Sequence, residues 1–151
     1  MREELRYLKG YRQMAYREFV SHFEHFKTAE RCFEVAIQAC IDIATHLIGL
    51  YDFRKPDRYE KIFMILAEEH IFPETFARNL VKMVGFRNIL VHEYMTIRLD
   101  IVYKAIQENL SDPSASLRTC LEQFEEYILE FLEAGPAAKR TTEIRNAQRR
   151  L

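Results

Sequence analysis

Arg87, His92 and Tyr94 fall within eight consecutive residues at the end of an otherwise apolar stretch, Gly85-Phe86-Arg87-Asn88-Ile89-Leu90-Val91-His92-Glu93-Tyr94. Arginine carries a permanent charge on a fork that matches phosphate oxygens. Histidine exchanges a proton near neutral pH, and the tyrosine adds a phenolic hydroxyl. No metal-ligand spacing accompanies them, so the group points to phosphodiester chemistry performed by side chains. On pattern alone the plainer reading is that Arg87 and His92 decorate a helix end, where positive side chains suit the macrodipole.

Any helix that carries this group divides it between two stripes. At about 100° per residue Asn88 and His92 lie about 40° apart and Arg87 and Tyr94 about 20° apart, whereas Arg87 and His92 are separated by about 140°. One site containing both requires the helix to bend or end near His92, side chains that reach around it, or a second subunit that completes the site.

The surrounding chain reads as one all-α domain. Its 151 residues, 48% of them hydrophobic, suffice for one sizeable core. Four glycines, four prolines and no tryptophan leave few turn signals among long segments with helical spacing. Six helices are expected, at residues 2–23, 27–50, 57–69, 73–92, 98–110 and 113–134, with a polar tail after them. The second has the clearest apolar stripe, with Phe33, Ile37, Cys40, Ile41, Ala44, Leu47, Ile48 and Tyr51 recurring every three or four positions. Asp57 with Glu60 reads as a variant capping box, Pro73 and Pro113 fit first turns, and Gly135-Pro136 stops the last helix. Long helices with short connections pack as an antiparallel bundle. The expected division is a helical-bundle domain over residues 1–134 and a basic, mobile tail over 135–151.

Charge and cysteine use narrow the setting. Residues 137–151 carry Lys139, Arg140, Arg145, Arg149 and Arg150 against Glu143, a net +4, which leaves −5 on residues 1–136. An acidic body argues against broad nucleic-acid binding, which runs on phosphate neutralisation, while leaving room for a local basic cleft. Three cysteines without a signal peptide suit a reducing, cytoplasmic location. Cys32 and Cys40, about 12 Å apart along one helix, are too far apart to bridge and are expected in the core. Gln38, Asp42 and His46 interrupt the most apolar helix, so no membrane span is expected.

Several polar groups have both a chemical and a plainer reading. Gln38, Asp42 and His46 recur every four residues and can line a cleft, although a polar outer or interfacial stripe is simpler. His22 and His25 sit one turn apart, yet two ligands do not make a metal site, so no metal is expected. Arg54-Lys55-Pro56, Arg78 and Lys82 can guide a polyanion or serve as ordinary solvated surface.

The arginine, four intervening residues and histidine, with polar Asn88 directly after the arginine, resemble the signature of the HEPN ribonuclease superfamily. The extended form, Arg87-Asn88-Ile89-Leu90-Val91-His92-Glu93-Tyr94, is similar to the Arg-x4-His-x-Tyr motif of HepT toxins, the superfamily members paired with MntA antitoxins. Ala36–Ala44, Ile65-Leu66-Ala67-Glu68-Glu69 and Lys82-Met83-Val84-Gly85-Phe86 extend the resemblance over roughly residues 5–134.

That resemblance implies a homodimeric helical bundle in which two copies of the motif meet near the subunit interface. It also implies the toxin of a type VII HepT/MntA toxin–antitoxin pair, a metal-independent and cofactor-free endoribonuclease that leaves a 2′,3′-cyclic phosphate. Arg87 and His92 are then catalytic, Asn88 and Asp42 auxiliary, and Tyr94 the acceptor of AMP groups transferred by a nucleotidyltransferase antitoxin. The competing expectation is a noncatalytic helical dimerisation module that binds nucleotide or a protein partner. A nucleotidyltransferase acting alone is disfavoured, because no glycine-rich phosphate loop with downstream carboxylates is present.

Overall fold

The computed structural model describes residues 1–92, 99–107 and 117–135, with the side chain of His92 outside the description. These residues form α1 (Arg2–Arg12), α2 (Tyr16–Ser21), α3 (Phe23–Leu50), α4 (Tyr59–Glu68), α5 (Glu74–His92), α6 (Leu99–Ile106) and α7 (Leu117–Ala134). No strand occurs among the described residues, so the chain is all-α as expected.

α3 is the axis of the bundle, and each of the other six helices packs against it. The stripe expected from its spacing is buried from Phe33 to Ile48, while Tyr51 at its end is half-buried. By length and composition α3 is apolar enough to cross a bilayer. In this fold twelve of its residues are buried, so that apolarity serves the core. Aromatic edges join the layers: Phe63 of α4 and Phe72 both meet Phe124 of α7, and Phe76 of α5 meets Tyr127. Offset and edge-to-face ring pairs add about 0.5–1.5 kcal/mol each beyond area burial.

The expected helix over 2–23 is two helices with breaks on either side of α2. Ala15 and His22 adopt extended backbone conformations, and Phe19 turns fully inward. Tyr103 of α6 donates its hydroxyl proton to the Met14 carbonyl at 2.8 Å, satisfying a main-chain acceptor at the first break. A tertiary contact made from about ninety residues away fixes this break, and neither glycine nor proline marks it. α3 accordingly starts at Phe23, four residues before the expected position.

The start of α4 also differs from expectation. Arg58 is its N-cap and makes no side-chain cap hydrogen bond; Asp57 instead accepts from Lys61 at 3.0 Å, which holds the Asp57 carboxyl below its ordinary pKa. Residues 108–116, including Pro113, and 136–151, the expected tail, lie outside the described residues.

α3 and α4 both end in Schellman turns without glycine. The Phe53 amide donates to Ile48 at 3.0 Å and the Ile71 amide to Leu66 at 3.0 Å. Asp52 and His70 occupy the left-handed position, with φ of 53° and 58°. Both residue types are enriched in that region, yet each carries the Cβ penalty that glycine lacks, and aspartate offsets it better through its short polar side chain. His70→Gly is therefore expected to raise folding stability by about 0.5–1 kcal/mol, the relieved strain exceeding the added chain entropy. Urea denaturation of the two proteins checks this; an unchanged or lower midpoint would contradict it.

Candidate active-site cleft between α3 and α5

The inward faces of α3 and α5 determine what their remaining faces present. Phe86 of α5 packs edge-on against buried Phe33 of α3, with ring centroids 5.6 Å apart and planes at 88°. Leu80, Met83, Val84 and Leu90 anchor the rest of α5 in the core. This packing brings Arg87, the residue after Phe86, over the outward stripe of α3.

There the two helices form a cleft of about 470 Å³ lined by Arg87 and Val91 from α5 and by Arg31, Glu34, Val35, Gln38, Ala39 and Asp42 from α3. Arg87 is half-buried, and its buried Nε has no hydrogen-bond partner among the described residues. An unpaired buried donor costs about 1–3 kcal/mol, more when charged, so the guanidinium favours an anion close by.

On the opposite wall Gln38 donates its side-chain amide to Asp42 at 2.7 Å. A carboxylate only accepts, so the amide nitrogen must be the atom that faces it. At the far end Arg31 donates to Glu34 at 3.0 Å. Gln38 and Asp42 thus share one cleft with Arg87. His46, the third member of their stripe, is exposed and is not among the lining residues.

Arg31, Glu34, Val35 and Ala39 escaped attention in the sequence. Their helical register with Gln38 and Asp42 was a usable signal, since positions 31, 35, 38 and 42 recur every three or four residues.

The other expected site residues are distributed as follows. Asn88 is exposed and is not part of the cleft lining. His92 closes α5 in the backbone, about 7.5 Å along the axis from Arg87 at 1.5 Å per residue. Tyr94 lies outside the described residues.

Outside this cleft several of the polar groups singled out in the sequence pair with neighbours on the surface or pack with one another. Arg54 bonds to both oxygens of Glu68, at 3.2 and 3.0 Å, and Arg78 pairs with Glu74. The His22 and His25 rings lie 5.0 Å apart, and Tyr11 meets His25 at 5.4 Å, as in aromatic packing. Cys32, Cys40 and Cys120 are buried free thiols. Burial pushes the pKa of each upward, which disfavours the nucleophilic thiolate.

Known proteins are similar to this chain in overall sequence and in architecture. A family model described as ribonuclease HepT-like matches residues 1–131. The mRNA nuclease HepT of Shewanella oneidensis is 40% identical over 83 residues, covering 55% of this chain and 59% of that protein. The matched segment thus spans less than two thirds of that relative. The tRNA nuclease HepT of Aphanizomenon flos-aquae is 30% identical over 102 residues, covering 68% of this chain and 69% of that protein.

Among solved structures, a toxin–antitoxin complex with AMP-PNP superposes with a TM-score of 0.73 at 26% identity, covering 86% of this chain and 92% of the other. A tri-AMPylated Shewanella oneidensis HEPN toxin bound to its MNT antitoxin gives a TM-score of 0.72 at 25% identity, covering 86% and 91%. The family model extends from α1 well into α7, and the chain belongs to the ribonuclease HepT-like family.

Proposed function

We propose that this protein is the toxin of a HepT/MntA-type toxin–antitoxin pair, a cytoplasmic endoribonuclease that needs no metal. The observation that carries the reading is the position of Arg87, in a cleft against α3 with an unpaired buried Nε, five residues before His92 on the same helix. Relatives named as mRNA and tRNA nucleases support RNA as the substrate.

In the proposed reaction the ribose 2′-hydroxyl attacks the adjacent phosphorus while the bond from phosphorus to the 5′-oxygen breaks. The products are a 2′,3′-cyclic phosphate and a free 5′-hydroxyl. His92 takes the proton from the 2′-oxygen or returns one to the departing 5′-oxygen. Arg87 binds the phosphate and offsets the charge that grows on its oxygens in the transition state. Only RNA carries the nucleophile, so a single 2′-deoxy substitution at the scissile nucleotide is sufficient to block cleavage. A homodimer places a second motif beside the first and supplies from the partner any group that one helix face cannot. The domain responsible is residues 1–134, with the basic tail as an accessory.

Tyr94 is the proposed switch. The AMP-bearing toxin bound to its antitoxin supports a covalent off state in this family. A phosphodiester-linked AMP two residues after His92 adds bulk and negative charge beside the phosphate site, repelling and excluding substrate. Tyr94→Phe is expected to stay toxic when expressed alone and to lose all AMP transfer from the partner nucleotidyltransferase. Intact-mass measurement after incubation with ATP and the antitoxin reads this directly; an AMP adduct on the variant would refute the acceptor assignment.

A further inference from the structure

The α3 wall of the cleft has a chemical polarity of its own. The Gln38 amide nitrogen is held by Asp42 at 2.7 Å. At this pair the Gln38 carbonyl and the second Asp42 oxygen are left as acceptors, with at most one amide N–H as a donor; the cation on the same wall, Arg31, stands at the far end and is paired with Glu34. Asp42 is exposed and Gln38 only half-buried, so a ligand can reach both. Val35, Ala39 and Val91 supply apolar surface in the same cleft. The cleft volume of about 470 Å³ falls within the range of small-molecule sites, about 300–1,000 Å³.

We propose, building on the ribonuclease reading, that Gln38 and Asp42 read the nucleobase beside the phosphate held by Arg87 and select bases with an exocyclic amino group over uracil. Adenine, cytosine and guanine each offer amino N–H groups to an acceptor-rich wall. Uracil offers one ring N–H flanked by two carbonyl oxygens, which face the Asp42 and Gln38 oxygens without a proton between them. An unpaired polar edge in a cleft is costly, and exclusion of the wrong base is the larger part of such discrimination. Single-stranded RNA exposes these edges, as duplex RNA does not.

The test uses the full chain carrying His92→Ala, to prevent turnover, with labelled oligo(A), oligo(C) and oligo(U) of equal length in an anisotropy titration. Oligo(A) and oligo(C) are expected to bind at least about fivefold more tightly than oligo(U). Adding Asp42→Asn, whose amide can donate to a uracil carbonyl, is expected to bring oligo(U) within about twofold of the others. Gln38→Glu, which removes the remaining amide donor, is expected to widen the gap.

Equal affinities in the His92→Ala protein, or a bias unchanged by both substitutions, would overturn the assignment. Mapping of 3′ ends produced by the protein with His92 intact separates this inference from the reading beneath it. Cleavage with equal binding of all bases overturns base selection and leaves the ribonuclease reading standing. Base-selective binding without any cleavage does the reverse, and binding of none of the oligonucleotides overturns both.

Discussion

Arg87→Ala is expected to lower single-turnover RNA cleavage by about 10²–10³-fold, the scale of removing one preorganised donor from a developing oxyanion. The guanidinium lies where Phe86 and Phe33 hold α5 against α3, and its Nε has no hydrogen-bond partner among the described residues. Removing the side chain therefore deletes the proposed phosphate ligand without breaking a bond at Nε. Arg87 is only half-buried, so folding stability is expected to change little compared with truncation of a core phenylalanine, about 3–5 kcal/mol. Arg87→Lys retains the charge but not the fork, and should recover binding more than rate. Single-turnover rates at saturating RNA, compared with thermal melts of the same variants, separate the two effects. Cleavage within a few-fold of the parent for Arg87→Ala would remove this residue from the chemistry.

His92→Ala carries the other large expectation, a loss of about 10²–10⁴-fold in cleavage, the range for general acid or base catalysis. The effect should fall on the chemical step and spare RNA binding, because proton transfer is made only in the transition state. Combining it with Arg87→Ala should cost much less than the product of the separate losses, since groups that act on one phosphate act as a unit. Measured rate constants for the two single variants and the double variant check this. Full multiplicativity would mean that the two residues do not share a site.

Much of the fold is legible in the residue pattern because burial sets the period. The stripe from Phe33 to Ile48 has one face, and that face is the one α3 buries. The boundaries that were misread depend on distant partners. The break before α2 is secured by Tyr103 reaching Met14, and no local residue announces it. The turns after α3 and α4 place aspartate and histidine where glycine is usual, yet the ends expected at 50 and 69 agree with Leu50 and Glu68. Asp57 and Glu60 have capping-box spacing, but Asp57 pairs with Lys61 instead.

The site was legible to the extent that it lies along one helix. Arg87 and His92 stand out through residue type and spacing, and their family resemblance lies in the same short run. That Asp42 and Gln38 share a cleft with Arg87 depends on the crossing of α3 and α5, some forty-five residues apart in the chain. The contact of Phe33 with Phe86 that sets this crossing has no periodic signature. The stripe of Gln38, Asp42 and His46 suggested a plain polar face, and packing divides it: two members line the cleft and the third lies outside the lining. Asn88, adjacent to Arg87 in sequence, turns to the exposed side of α5, because neighbours in a helix are about 100° apart.

The measurement that bears most directly on the ribonuclease account is cleavage of RNA by the purified protein in excess EDTA, beside His92→Ala, with the new 3′ ends identified by mass. The account predicts 2′,3′-cyclic phosphate ends from the protein with His92, undiminished by chelation, and none above background from the variant. Equal cleavage by both proteins, cleavage abolished by EDTA, or intact RNA across a broad panel from a protein free of AMP adducts would contradict it.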